Sequence, residues 1–389
     1  MKRLLTFFLI CFSFVEYTRA EDIIDYKYWD EGKLTWDDFQ DTLSLKGVPS
    51  TFNAFLRIEK TEKRDGNTRT IRPEAQACFD KRHSFADRQI QNENLLRLFQ
   101  LKYDLLEMYR RRLQTELNLG VVGIAADNRT RQYMDLYTEQ SKKAEQETEN
   151  GQNEIKLQEW EFYVTKELIE NPAPSIPRIS PRRFGYGVYL GTGASFPVGN
   201  IADYWAPAWQ INVGFDLAYA NTHLLCDFSA GTARTRQEIT VSNGQITDTW
   251  LRNGHNTYTS ISLGIGQQLV STKYFALMPY AGCIWSGYSD QAKIQEGRNE
   301  RTTLSYTNFN WTAGICFDYR FSTTISLVPS FWRGHREIFT ASIRTKLFIN
   351  REQFHNFKIA PDDNGSMLRG CKLGFSVACL GFSRLLQIK

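Results

Sequence analysis

The 389-residue sequence predicts two fold classes in series: an α+β domain over residues 21–170, then an all-β antiparallel membrane β-barrel of eight to ten strands over 184–389. Three observations carry this expectation. From Phe184 onward apolar and polar residues alternate with period two, the pattern of strands whose two faces meet different surroundings. Before that, apolar residues recur every three or four positions, the pattern of helices with a buried stripe. Between the two, residues 171–183 carry Pro172, Pro174, Pro177 and Pro181, which forbid a continuous helix or central strand and make a semi-rigid extended linker.

Taken in order, residues 1–20 read as a signal peptide: Lys2 and Arg3, an apolar centre from Leu4 to Val15, and Thr18–Ala20 before Glu21. Cys11 follows Ile10, where a lipoprotein signal wants a small residue, so cleavage near Ala20 is expected rather than lipidation. An acidic-aromatic stretch at 26–40 comes next, then strands over 52–60 and 68–79, with Ser84 or Asp87 as the cap of a following helix. That helix is expected from Gln89 to about Leu119. Leu95, Leu98, Lys102, Leu105, Tyr109 and Arg112 form one stripe and Leu96, Phe99, Tyr103, Leu106 and Leu113 another. A second, strongly polar helical segment runs from about Arg129 to Glu170, with a bend or break at Asn150-Gly151.

In the rear half, Ile211, Val213, Phe215, Leu217 and Tyr219 share one face of a run over 209–219, against Gln210, Asn212, Gly214, Asp216 and Ala218. The run over 309–321 repeats the pattern, and others lie near 184–196, 222–233, 257–270, 273–286, 323–332, 338–349 and 370–382. Such runs exceed the roughly 5 to 6 residues usual in soluble strands and suffice for the roughly 9 to 11 that cross a bilayer. A soluble β-sandwich also alternates, but two further features favour the membrane. The apolar faces turn aromatic at their ends, and tight connections at Ala220–Asn221, Ser271–Thr272 and Ser322–Thr323 contrast with long polar ones at 234–253 and 287–303. Nine runs conflict with the even number a closed bacterial barrel needs. A weak strand at 354–361 would make ten; a single strand over 323–349 would make eight.

Composition narrows the function. With 47 Lys+Arg against 43 Asp+Glu, the net charge of +4 is too mild and too evenly interleaved for a nucleic-acid partner. A mean hydropathy of −0.43 argues against a bundle of membrane helices. After the signal, Cys78, Cys226, Cys283, Cys316, Cys371 and Cys379 form no CxxC pair, so a thiolate metal site is not expected and they read as small apolar fillers. His83, His223, His255, His335 and His355 are scattered, without HxxxH spacing.

In order and spacing, GKLTWDDFQ, CFDKRHSF, NLLRLFQLKYDLLEMYRRRLQTEL and QETENGQNEIKLQEW resemble a family of secreted bacterial proteins regarded as zinc-dependent peptidases, over roughly residues 26–163. The resemblance implies a zincin-like fold whose long helix carries HExxH in a segment like LLxHExxHFDxxExYxRRL. Here Leu98 and Lys102 stand where the two histidines belong and Phe99 where the glutamate belongs; Asn150 stands where a later histidine would fall. Leucine offers no lone pair, an ammonium repels a cation, and Phe99 cannot act as a base. The resemblance therefore implies a degenerate site with no metal and no cofactor, Lys102 being salt-bridged or snorkelling to the old cleft mouth.

Within the barrel, Asp216, Asp227, Asp318, Arg320, Arg344, Lys346 and Lys372 fall on inward faces and are expected to form a paired polar network, because a small barrel is filled by side chains. The expected protein is non-catalytic: an outer-membrane barrel in contact with lipid, carrying a periplasmic domain that binds a periplasmic protein, a peptide or a cell-wall ligand. Two alternatives stand beside it. One is a hydrolase- or acyltransferase-like barrel enzyme using His255 near Asp248 or His335 near Glu337; the other is a narrow channel lined by the inward charges.

Overall fold

The computed structural model describes residues 26–41, 49–242, 247–290, 305–328, 336–354 and 368–388. The expected signal peptide, His335, His355 and all but the first residue of the candidate strand 354–361 lie outside them. The chain forms two compact units: one of residues up to Glu59 with Glu74–Ile176, the other of Lys60–Pro73 with Pro177–Lys389. The front domain expected over 21–170 is therefore interrupted, residues 60–73 belonging with the barrel.

The first unit contains β1 (Tyr26–Tyr28), β2 (Ser50–Thr51), the first half of β3 (Ala54–Asp65), the last part of β4 (Thr68–Asp80), β5 (Phe85–Ala86), α1 (Glu93–Leu119), α2 (Ile124–Glu147) and α3 (Glu154–Glu170). β4 pairs with β3 and, antiparallel, with β1, while β2 pairs with β5. Its core is the inner side of α1, where Leu98, Leu105, Leu106 and Leu113 are buried together with Phe79 of β4 and Leu157 and Val164 of α3.

The cap of α1 is Asn92, whose side chain accepts from Leu95 N at 2.9 Å. Ser84 and Asp87 are otherwise engaged: the buried Ser84 hydroxyl accepts from Asn53 N, and Asp87 holds a turn through Gln89 N. Gly120 (φ 123) ends the helix, its N–H donating to Glu116 O and Leu117 O. The second helical segment starts earlier than the sequence suggests, at Ile124, and breaks as expected. Glu149, Asn150 and Gly151 have φ of 52, 57 and 87, three successive left-handed residues that no helix can contain.

The second unit is a barrel of β6 (Ile179–Gly199), β7 (Ala208–Tyr219), β8 (Thr222–Arg234), β11 (His255–Gln267), β13 (Phe275–Asp290), β14 (Ser305–Ser326), β15 (Glu337–Phe354) and β16 (Leu368–Ile388). A β9 (Ile239–Ser242)–β10 (Thr247–Trp250) hairpin and the two-residue β12 (Val270–Ser271) lie in its connections. Each barrel strand pairs antiparallel with the next, and β16 pairs back onto β6, closing eight strands.

Eight resolves the odd count. In its described part the run at 323–332 is no strand of its own: β14 continues through Ser322–Thr323, where a tight turn was expected, with a register shift between Arg320 and Ser322. Such a bulge shifts the phase of alternation, and in the sequence that mimics the end of one strand and the start of another. Residues 179–183, expected in the linker, belong to β6; Pro181 lies opposite Leu386, beside a second register shift between Arg384 and Leu386, where a missing N–H is tolerated.

One barrel end has the connections 220–221, 268–274 and 327–336, and the other has 200–207, 235–254, 291–304 and 355–367. The first and last strands meet at the short-turn end, Ile179 opposite Ile388. There the β3–β4 hairpin adds a parallel strand, Thr68–Ile71 pairing with Thr323–Ser326 of β14. Asn67 fixes its tip, donating from Nδ2 to Lys273 O (3.1 Å) and Arg320 O (3.0 Å).

The outward faces are apolar and uncovered, with Trp209 and Ile265 64% exposed and Phe309 60% exposed. Along β7, side chains alternate buried and exposed at every position, Trp209, Ile211, Val213, Phe215, Leu217 and Tyr219 outward. Among the described residues no helix is long and apolar enough to cross a membrane.

Candidate functional site

The alternation that turns apolar residues outward places every second residue in the lumen, so the charges there come from strands far apart in sequence. Register then pairs them: Asp318 of β14 is directly opposite Arg344 of β15. The interior forms layers along the barrel. Nearest the short turns, the Arg344 guanidinium forks onto Asp318 (Nε to Oδ1, 2.7 Å; Nη2 to Oδ2, 2.8 Å) and reaches Asp216 Oδ2 at 2.8 Å. The other Asp216 oxygen is 2.7 Å from His223 Nδ1.

In the middle, Lys346 Nζ donates to Asp227 Oδ2 at 2.6 Å, the Tyr189 hydroxyl donates to Asp227 Oδ1, and the ammonium sits 4.8 Å from the Tyr280 ring centre. In the third layer, Lys372 Nζ lies 2.9 Å from Glu352 Oε1 and 3.6 Å from the Tyr258 ring centre. Beyond it an aromatic cluster with Trp205, Trp250, Tyr258 and Tyr288 closes the long-loop end, the Trp205 and Tyr288 rings stacking at 4.7 Å.

These layers fill the lumen. Among the described residues the middle holds a void of only about 30 Å³, lined by Asn212, Asp227, Thr312, Lys346 and Asn350, room for roughly one water.

Asp216, Asp227, Asp318, Arg344, Lys346 and Lys372 thus lie together inside the barrel, each in a charge pair. Arg320 differs: its guanidinium donates from Nη1 to the Thr272 carbonyl at 2.7 Å, beside the β12–β13 turn, and forms no ion pair among the described residues. The sequence reading missed Tyr189, His223 and Glu352. Period two from Asp227 through Leu225 reaches His223, and from Lys346 through Phe348 and Asn350 reaches Glu352, so the signal was present. His255 is exposed at the first residue of β11.

In the first unit, Leu98 and Phe99 are buried in the core, Phe99 lying 5.4 Å from the Phe52 ring and 5.2 Å from Phe39. Lys102 Nζ is 2.6 Å from the half-buried Glu145 Oε1 and 4.6 Å from the Phe52 ring centre, so the ion pair is the arrangement found. Asn150 is exposed in the turn between α2 and α3. Among the described residues no group of three or more His, Cys, Asp or Glu is placed to hold a metal.

Burial dominates the titration of this unit. It pushes the Cys78 thiol up to about 12, leaving it an inert filler at neutral pH. Burial also raises the Asp104 carboxyl, an effect that hydrogen bonds from Trp29 Nε1 and Gln100 Nε2, both 2.8 Å to Oδ1, offset only in part. For an acid with a raised folded-state pKa, the protonated form suits the fold; the contribution is fully favourable below the unfolded value near 3.8 and fades as pH rises through the folded value. Asp104→Asn keeps an acceptor for both donors and removes the buried charge. It should make the helical unit more stable than wild type near neutral pH, the difference closing as pH falls below about 4. Urea unfolding read at 222 nm, where α1–α3 give the signal, measures this; a variant less stable than wild type at neutral pH would refute it.

A closed, antiparallel, eight-stranded barrel with a filled interior and an apolar exterior defines the class of the second unit. No family model matches the chain, and no curated protein matches it either. Solved structures resemble the barrel distantly. They include the attachment invasion locus protein Ail of Yersinia pestis (TM-score 0.27, 10% identity, 52% of this chain and 99% of that one). The N-terminal β-barrel domain of Pseudomonas aeruginosa OprF (0.24, 9%, 52% and 99%) and a major outer membrane protein of Thermus thermophilus (0.24, 11%, 51% and 98%) are similar at the same level.

Proposed function

We propose that the chain is a non-catalytic outer-membrane protein in which the barrel is an anchor and the α+β unit is a periplasmic binding module. The observation that carries this reading is the uncovered apolar exterior of a closed barrel: Phe215, Phe228, Ile265, Phe309 and Ile315 are each between 46% and 64% exposed. Soluble proteins rarely leave contiguous apolar surface of this kind open to water, whereas closure satisfies every strand edge as a bilayer demands. The short-turn end, where both barrel termini meet, is the periplasmic one on this reading, which puts the preceding unit in the periplasm.

The filling of Leu98 and Phe99 into the core, and the pairing of Lys102 with Glu145, support a binding rather than a hydrolytic role for that unit. Its partner on this reading is a periplasmic protein, a peptide or a cell-wall fragment. The small void in mid-lumen speaks against a channel.

Two assays test the proposal. The full-length protein should fractionate with the outer membrane, resist urea extraction and need detergent to dissolve. Protease added to intact cells should spare the first unit, and cutting should follow permeabilisation of the outer membrane. A protein that stays in solution without detergent, or a first unit cut on intact cells, would sink it.

A further inference from the structure

At the short-turn end the filled lumen opens into a cavity of about 390 Å³, built wholly within the second unit. Its charged wall is one-sided: His223, Lys273, Arg320, Arg344 and Arg384 face it, against Asp318 as the acid of the lining. Asp318 is already held by the Arg344 fork, and Lys273 Nζ is 3.2 Å from Asp65. Arg320 and Arg384 donate to backbone carbonyls, Thr272 O at 2.7 Å and Ala220 O at 2.6 Å, Arg384 also lying 5.6 Å from the Phe382 ring centre, and neither shares an ion pair among the described residues.

Two buried atoms of the lining residues have no hydrogen-bond partner among the described residues. Arg344 Nη1 and His223 Nε2 belong to side chains 1% and 4% exposed, and neither makes a hydrogen bond. Buried polar groups are as a rule satisfied, so each orphan asks for a partner. A guanidinium nitrogen can only donate, and His223, held by Asp216 through Nδ1, lines the same cavity. The same cavity is also lined by the apolar side chains of Ile325, Ile338, Leu380 and Phe382.

We propose that this cavity binds a free small organic oxyanion, a carboxylate or phosphate on an apolar body. The oxyanion accepts from Arg344 Nη1, Arg320 and Arg384 neutralise it, His223 lies beside it in the cavity wall, and the apolar body lies against Phe382 and its neighbours. Planar, permanently charged guanidinium groups are suited to such groups. The volume exceeds what an inorganic ion fills, so the organic part contributes affinity.

The test is calorimetric titration of the full chain in nonionic detergent at fixed ionic strength, with inorganic phosphate and phenyl phosphate as probes. Phenyl phosphate is expected to bind saturably with Kd below about 1 mM and at least about tenfold more tightly than phosphate. Arg320→Gln and Arg384→Gln should each weaken it about tenfold or more, with the heat-modifiable band of the folded barrel retained. In the wild type the His223 imidazole resonances should shift on titration, and in Arg384→Gln they should shift only at correspondingly higher concentration. No saturable binding, equal affinity in the variants, or an unmoved His223 would overturn the proposal. Phosphorus analysis of an organic extract separates the sources: stoichiometric lipid phosphate retained by the purified protein would overturn the assignment to a free anion.

Discussion

Arg344→Met is expected to destabilise the barrel by about 3–5 kcal/mol. Arg344 is the common partner of Asp216 and Asp318, and its removal leaves two carboxylates in a lumen where their side chains are 0% and 11% exposed. His223 contacts one Asp216 oxygen at 2.7 Å but does not reach Asp318 by any contact found. The loss comes from uncompensated burial, so it should be recoverable. Adding Asp216→Asn and Asp318→Asn removes both orphaned charges, and the triple variant should regain most of the stability, since an ion cluster replaced by neutral groups of similar size is often nearly neutral. Urea unfolding in detergent micelles, followed by the loss of the fast-migrating folded band, gives the number. Equal instability of single and triple variants would mean that Arg344 acts through packing, not charge.

The second expected result separates a membrane barrel from a soluble one. Phe215 points outward in β7, between Val188 of β6 and Cys226 of β8, and is 49% exposed. In water, arginine at such a surface position should change stability by only about 0.5 kcal/mol in either direction. Facing hydrocarbon near the bilayer midplane it should cost about 2–4 kcal/mol. The contrast is measured by refolding Phe215→Arg into lipid vesicles beside Tyr219→Arg, which changes the last residue of the same strand, where an interfacial position makes the cost about 0–1 kcal/mol. Equal effects at the two sites would contradict a bilayer around this strand.

Much of this architecture was legible in the residue pattern because a strand with two different surroundings writes its period directly into the sequence. The faces read for 209–219 and 309–321 are the faces found, and the Asn150-Gly151 break falls where the backbone turns left-handed. Illegible features share a physical cause: they arise from backbone geometry or from partners distant in sequence. The bulge near Arg320 looks like a turn because it inverts alternation without ending the ladder. The β3–β4 hairpin tip carries no apolar face to announce its pairing with β14; its partners are carbonyls and N–H groups, as at Thr323 N to Asn67 O. Asn92 was passed over as a cap because Ser84 and Asp87 satisfy the same sequence rule, and only the surrounding hydrogen bonds discriminate. The seven inward charges were visible, but their pairing and the separate role of Arg320 depend on which strands become neighbours.

The meeting of Ile179 with Ile388 also governs how the molecule is made. The opening strand of the cylinder exposes an unsatisfied edge until the final strand has been synthesised and delivered, so no partial product is a smaller working version of the whole. Removing β16 would leave two bare edges, on β6 and β15, each a template for aggregation. Assembly is correspondingly all-or-none, with the slow, long-range closure step last. The cell must therefore keep this polypeptide from meeting its own copies until its tail arrives.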